Sequence, residues 1–171
     1  MPIEEIADFD FGLDIVPFPD LRKNWEIDGF LGYERKAIYV DQFQMMNRLT
    51  RYRFTLAHEV GHLLLHEDLY KEANIVSLED YLQFQQKLDS DLRDAYEFQA
   101  MNLAGRILLP QRPFMTACRS LLQEVRPKLP EVADWTVVGE LIGRRVAPAF
   151  EVSDEVAGRR LFKDRLWDEI S

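Results

Sequence analysis

The chain has 171 residues, 47% of them hydrophobic and 30% charged, a balance that suits one globular domain with its own core and excludes intrinsic disorder. Its formal net charge of −9 repels phosphate backbones, so tight nonspecific nucleic-acid binding is not expected. The single cysteine, Cys118, excludes an internal disulfide framework and a thiolate metal cluster.

No apolar run has the length of a membrane span, and the opening Met-Pro-Ile-Glu-Glu lacks the basic and apolar regions of a secretory signal. A cytoplasmic protein with no membrane partner is expected. Any metal must then be held by imidazole and carboxylate. Cys118, with no histidine near it in sequence, reads as a buried structural residue.

Residues 1–45 read mostly as strands. Leu13 to Phe18 alternates loosely and is interrupted by Pro17. Asn24 to Leu31 and Lys36 to Asp41 are β-prone runs, and Gly32-Tyr33-Glu34-Arg35 between them suggests a hairpin. Three such strands make a small antiparallel or mixed sheet that needs helices on one face. From Asn47 to His66 the period becomes helical, with Phe54, Ala57, His58, Gly61, His62 and Leu65 on one face and a cap at Asn47 or Thr50. A looser acidic region, Glu67 to Asp89, follows, with Val76 to Glu79 as a short helix or loop cover. A second helix spans Ser90 to Leu109, with Glu97, Ala100, Met101, Ala104 and Leu108 as its stripe and Pro110 and Pro113 as its stop. Residues 113–171 read as three more helices punctuated by Pro127, Pro130 and Pro148, the last capped by Ser153. The expectation is one α+β domain over 1–171: a small N-terminal three-stranded sheet packed against two helices within 46–112, then a helical C-terminal third.

The C-terminal cations Arg144, Arg145, Arg159, Arg160, Lys163 and Arg165 read as solvated helix faces. Val137 to Leu166 has the loose outline of a helix-turn-helix. The net charge argues against DNA binding and for helices that bury Leu161, Phe162, Leu166 and Trp167.

The chemistry-bearing segment is His58-Glu59-Val60-Gly61-His62. Histidines four apart share a helical face with Cβ atoms about 5–6 Å apart, so both rings can meet one zinc. Glu59 is displaced by about 100° around the helix, beside the metal, where it can take a proton from an attacking water as general base. Gly61 keeps bulk off that face. The bland alternative is unrelated histidines on an amphipathic helix, but the motif uses two of only three in the chain. His66, the third, lies about 12 Å along a straight helix from His58 and reads as a neighbouring polar group. For the third ligand, Glu97 sits on an otherwise apolar stripe, a costly place for a carboxylate unless it is paired or metal-bound. Ala100, Ala104 and Gly105 would let its helix come close to the first. A pairing of Glu97 with Arg93 competes with this reading, and Glu72, Glu79 and Asp94 are alternative ligands.

Three stretches carry a resemblance to the ImmA/IrrE family of metallopeptidase-like proteins. Arg53 to His66, RFTLAHEVGHLLLH, is similar to the family's R-F-T-(I/L)-A-H-E-(L/I)-G-H-x-L-L-H. Glu97 to Pro110 resembles E-x-(E/Q)-A-N-x-F-A-x-x-L-L-M-P. Phe150 to Leu161 resembles F-x-V-S-x-x-A-x-x-x-R-L. Order and spacing agree over about residues 36–165, with departures at Met101, Leu103 and Val156, none of them a presumed ligand. The resemblance implies a gluzincin-type site: His58, His62 and Glu97 as zinc ligands and Glu59 as general base. It also implies a protein substrate, a helix-turn-helix repressor of a mobile element or stress regulon. The competing implication is a non-catalytic peptidase-fold module that binds a repressor or a toxin–antitoxin partner.

Overall fold

The structure, a computed structural model, describes residues 1–32, 35–130 and 133–170. The chain divides into two compact units, residues 2–104 and Met1 with residues 105–171.

The first unit opens with a single turn, α1 (Ile3–Glu5), continued as a wider turn through Asp10. Then come β1 (Asp14–Phe18), α2 (Leu21–Trp25), β2 (Gly29–Gly32) and β3 (Ala37–Asp41). β3 is the central strand, parallel to β1 with Asp14 beside Ala37, and antiparallel to β2 with Leu31 beside Ile38. Phe30, Leu31, Ile38 and Val40 are buried, which is what such short strands need to be stable. This is the mixed sheet of the α+β expectation. The hairpin turn expected at Gly32–Arg35 includes Tyr33 and Glu34, which lie outside the described residues.

The extended run expected over Asn24 to Leu31 is corrected to a strand of Gly29–Gly32. Asn24 and Trp25 close α2, and Glu26 turns the chain in the left-handed conformation at φ 60°. Tertiary hydrogen bonds override strand propensity here. The Asp41 carboxylate accepts the Arg22 backbone N–H at 2.9 Å. The Asp28 carboxylate accepts from the side chains of Arg22, Gln44 and Arg51, the last at 2.7 Å.

Asp41 also caps α3 (Gln42–Asn47), accepting the Gln44 N–H at 2.9 Å. The next helix, α4 (Leu49–Leu65), therefore starts almost directly from α3, and neither Asn47 nor Thr50 caps it. Its buried stripe is broader than the periodicity suggests. Leu56, Ala57 and Val60 are fully enclosed and Arg53 and Glu59 nearly so, whereas Leu65 is 48% exposed. The acidic stretch after it is more regular than expected, forming α5 (Glu67–Ala73) and α6 (Leu78–Lys87). Ser77 and Asp80 start α6 reciprocally: the hydroxyl accepts the Asp80 N–H at 3.2 Å and donates to its carboxylate at 2.7 Å. Then α7 (Ser90–Leu108) buries Ala100 and Ala104 completely. The close approach between α4 and α7 is made by Gly61: a Cβ there would stand 3.0 Å from the Ala100 carbonyl oxygen, while one at Gly105 would meet nothing within 4 Å.

The second unit holds α8 (Gln111–Val125), α9 (Trp135–Val146) and α10 (Asp154–Phe162), the three helices expected. Ser153 caps α10 as its sequence suggests, accepting the Val156 N–H at 3.3 Å. Leu161, Leu166 and Trp167 are buried and Phe162 is half-buried. The basic cluster is not wholly a solvated face: Arg160 is buried, donating to the Leu109 carbonyl at 3.2 Å and pairing with Asp164. Cys118 is enclosed, and burial pushes its thiol up to about 12, leaving it unreactive. Among the described residues no helix is long and apolar enough to cross a membrane.

Two stability changes follow. Gly61→Val forces α4 from Ala100 and should lower stability by about 1–3 kcal/mol, seen as a lower urea midpoint. Arg160→Ala strips the Leu109 carbonyl and Asp164 of a buried partner and should cost about 2–4 kcal/mol. An unchanged midpoint in either variant contradicts the packing described for it.

Candidate metal centre

His58 and His62 sit one turn apart on α4, and Glu97 reaches them from α7. The two Nε2 atoms are 3.0 Å apart. The Glu97 carboxylate straddles them, with Oε2 at 3.1 Å from His58 Nε2 and Oε1 at 3.4 Å from His62 Nε2. One ligand atom from each residue lies within 4.8 Å of the others, so the three can hold a metal ion. Ligand atoms about 2.0–2.1 Å from a tetrahedral ion are roughly 3.3–3.4 Å apart, close to the spacings found. The donor set, two imidazoles and a carboxylate, suits a small divalent cation. Among the described residues this is the one such group. Glu72, Glu79 and Asp94 are exposed and do not join it, and Arg93 forms no ion pair with Glu97.

The electrostatics favour a cation. Burial pushes the Glu97 carboxyl up, but the hydrogen bonds from His58 and His62 outweigh it and hold the group well below the usual carboxylate range. Burial disfavours charge on His58, yet the hydrogen bond to Glu97 and the carboxylates of Glu59, Glu97 and Asp28 raise its proton affinity above the ordinary value. Three carboxylates thus act on the His58 ring, whose Nδ1 is buried without a hydrogen-bond partner.

Glu59 points into the same region. It is 4% exposed, and burial pushes its carboxyl up, against the pull of His58 and His62 and of a hydrogen bond accepted from the Leu31 backbone N–H. That bond ties the carboxylate to β2. His66 is not among the converging groups. Its Nδ1 lies 3.0 Å from His62 Nδ1 and its Nε2 3.1 Å from Gln99 Oε1.

A cleft of about 740 Å3 opens over these residues, lined by His58, Glu59 and Glu97. Trp25, Ile27, Phe54, Leu82 and Met101 give it an apolar wall, with Asp28, Tyr81 and Arg93 as polar groups. Tyr81 is held by stacking: its ring is 4.9 Å from Phe30, which in turn stacks on Tyr39 at 4.8 Å. Asp28, Tyr81 and Gln99 are the site neighbours that the sequence did not single out. Asp28 lies in a stretch expected to be strand, and Tyr81 in the acidic region Glu67 to Asp89 that was expected to be looser. Only Gln99 carried a signal, two residues beyond Glu97 on a helix already assigned.

No curated protein and no solved structure matches the chain. The peptidase M78 family, described as the IrrE N-terminal-like domain, matches residues 24–162, a stretch that contains both helices of the cluster and the strand that holds Glu59. The chain belongs to this family of metallopeptidases.

Proposed function

We propose that the protein is a zinc-dependent endopeptidase of the gluzincin type, working in the cytoplasm on a helix-turn-helix repressor of a mobile element or stress regulon. The observation that carries the reading is the convergence of His58 Nε2, His62 Nε2 and the Glu97 carboxylate at a cleft with Glu59 beside them. His58, His62 and Glu97 hold one zinc. When bound, zinc polarises the scissile carbonyl and acidifies water. Glu59 accepts the proton from the attacking water and delivers it to the leaving amine. Its burial supports that work, since a carboxyl pushed up from its ordinary value keeps a transferred proton longer. The Leu31 N–H fixes the orientation of that carboxylate. The apolar wall of Trp25, Ile27, Phe54, Leu82 and Met101 suits a large apolar side chain next to the cleaved bond. The net charge of −9 favours encounter with a basic, DNA-binding partner.

Metal content by mass spectrometry on protein purified without chelators tests the ligands. The expected result is about one zinc per chain in the wild type and a large loss in Glu97→Ala. Equal zinc in both excludes Glu97 as a ligand. For catalysis, Glu59→Gln should keep the metal and still bind a cognate helix-turn-helix repressor, while cleavage slows by about 10²–10⁴. A wild type that binds the repressor and leaves it uncut, zinc in place, makes the protein a binding module.

A further inference from the structure

The hydrogen bonds behind the ligand face run in one line: His62 Nδ1 to His66 Nδ1 at 3.0 Å, and His66 Nε2 to Gln99 Oε1 at 3.1 Å. We infer that Gln99, acting through His66, is a positioning residue that sets the tautomer of His62 and so leaves His62 Nε2 bare toward the metal. The inference rests on the metal-site reading above.

A carbonyl oxygen only accepts, so His66 Nε2 carries the hydrogen facing Gln99. His66 is 4% exposed, and among the described residues no carboxylate hydrogen-bonds to it, so it is the neutral ring, with Nδ1 bare. A bare Nδ1 at 3.0 Å accepts, so His62 Nδ1 must carry the donated hydrogen. With Nδ1 holding that hydrogen, Nε2 is the nitrogen that His62 presents to a metal, and it is the atom 3.0 Å from His58 Nε2. The rings cannot easily swing out of line. The Tyr96 ring packs on His66 with centroids 4.5 Å apart, and Tyr70 lies 5.5 Å from His62. Turned over, the Gln99 carboxamide would donate to His66. His66 would then donate to His62, and His62 Nε2 would carry a hydrogen and be lost as a ligand. A side chain that only accepts at position 99 excludes that second state.

With only three histidines, ¹⁵N-histidine labelling gives a resolvable test. Long-range ¹H–¹⁵N correlation reads the tautomers, and competition with a chromogenic chelator reads zinc affinity. In the zinc-loaded wild type, His66 should be protonated at Nε2 and His62 at Nδ1. Gln99→Met, which keeps the size and removes the acceptor, should scramble the His66 tautomer and weaken zinc by about 10- to 100-fold. A His66 protonated at Nδ1 in the wild type overturns the inference, as does a Gln99→Met protein with unchanged tautomers and zinc affinity. Should the wild type take up no zinc, the metal reading falls. The relay is then judged on the metal-free protein, standing if His66 is protonated at Nε2 and loses this preference in Gln99→Met, and falling otherwise.

Discussion

Gly61 against the Ala100 backbone is the contact on which the site depends. A Cβ at position 61 would lie 3.0 Å from the Ala100 carbonyl oxygen and 3.2 Å from its Cα. Gly61 immediately precedes His62, and Ala100 follows Glu97 by three residues, so the point of closest approach lies within a turn of the ligand-bearing positions. Carboxylate side chains are short. Moving α7 outward by the thickness of a methyl group would take Glu97 out of reach of rings it now meets at 3.1 and 3.4 Å. Helix propensity favours alanine over glycine inside a helix by about 1 kcal/mol. Glycine at this position gives up that preference for the approach of a second helix.

The same closeness concentrates negative charge. Glu59, Glu97 and Asp28 all act on His58, and all three carboxylates are at least half-buried. Carboxylates gathered away from water repel one another and lose hydration, which destabilises the fold unless a cation or a hydrogen bond compensates. The chain compensates in part. Leu31 donates to Glu59, and the Arg22, Gln44 and Arg51 side chains donate to Asp28. Among the described residues Glu97 has only the two imidazoles. What distinguishes Glu97 from the others is that its compensation comes entirely from groups that are themselves good metal ligands. Folding therefore assembles a donor set with an unmet need for positive charge.

How far this was legible depended on how local the determining signal is. The two long helices came from periodicity, and the His58–Glu59–His62 spacing from one helical turn. Glu97 was visible because a carboxylate stood out on a stripe of alanines. The polar framework around the mouth of the cleft was not legible. Asp28 and Asp41 each serve residues remote in sequence, and their bonds turn Asn24 and Trp25 into helix against local preference. Capping failed for a related reason: Asp41 starts α3, and α4 inherits its direction from that helix without a cap of its own. His66 was read as a neighbouring polar group, and the structure places it against His62 and Gln99. Its link to Gln99 spans 33 residues and has no signature in either segment.

Charge distribution narrows the partner class. A nucleic-acid surface needs cations that are free to meet phosphates. In the second unit five arginines are committed instead: Arg144 to Asp154, Arg159 to Glu155, Arg165 to Asp168, and Arg160 and Arg106 both to Asp164. The exposed pairs among them add little stability, but they offset part of the local positive potential that the sequence suggested. Asp154 and Glu155 also occupy the first turn of α10, the end of a recognition helix that would have to approach the bases. The paired arginines and the acidic start of α10 thus weigh against the helix-turn-helix outline of Val137–Leu166 as a DNA reader.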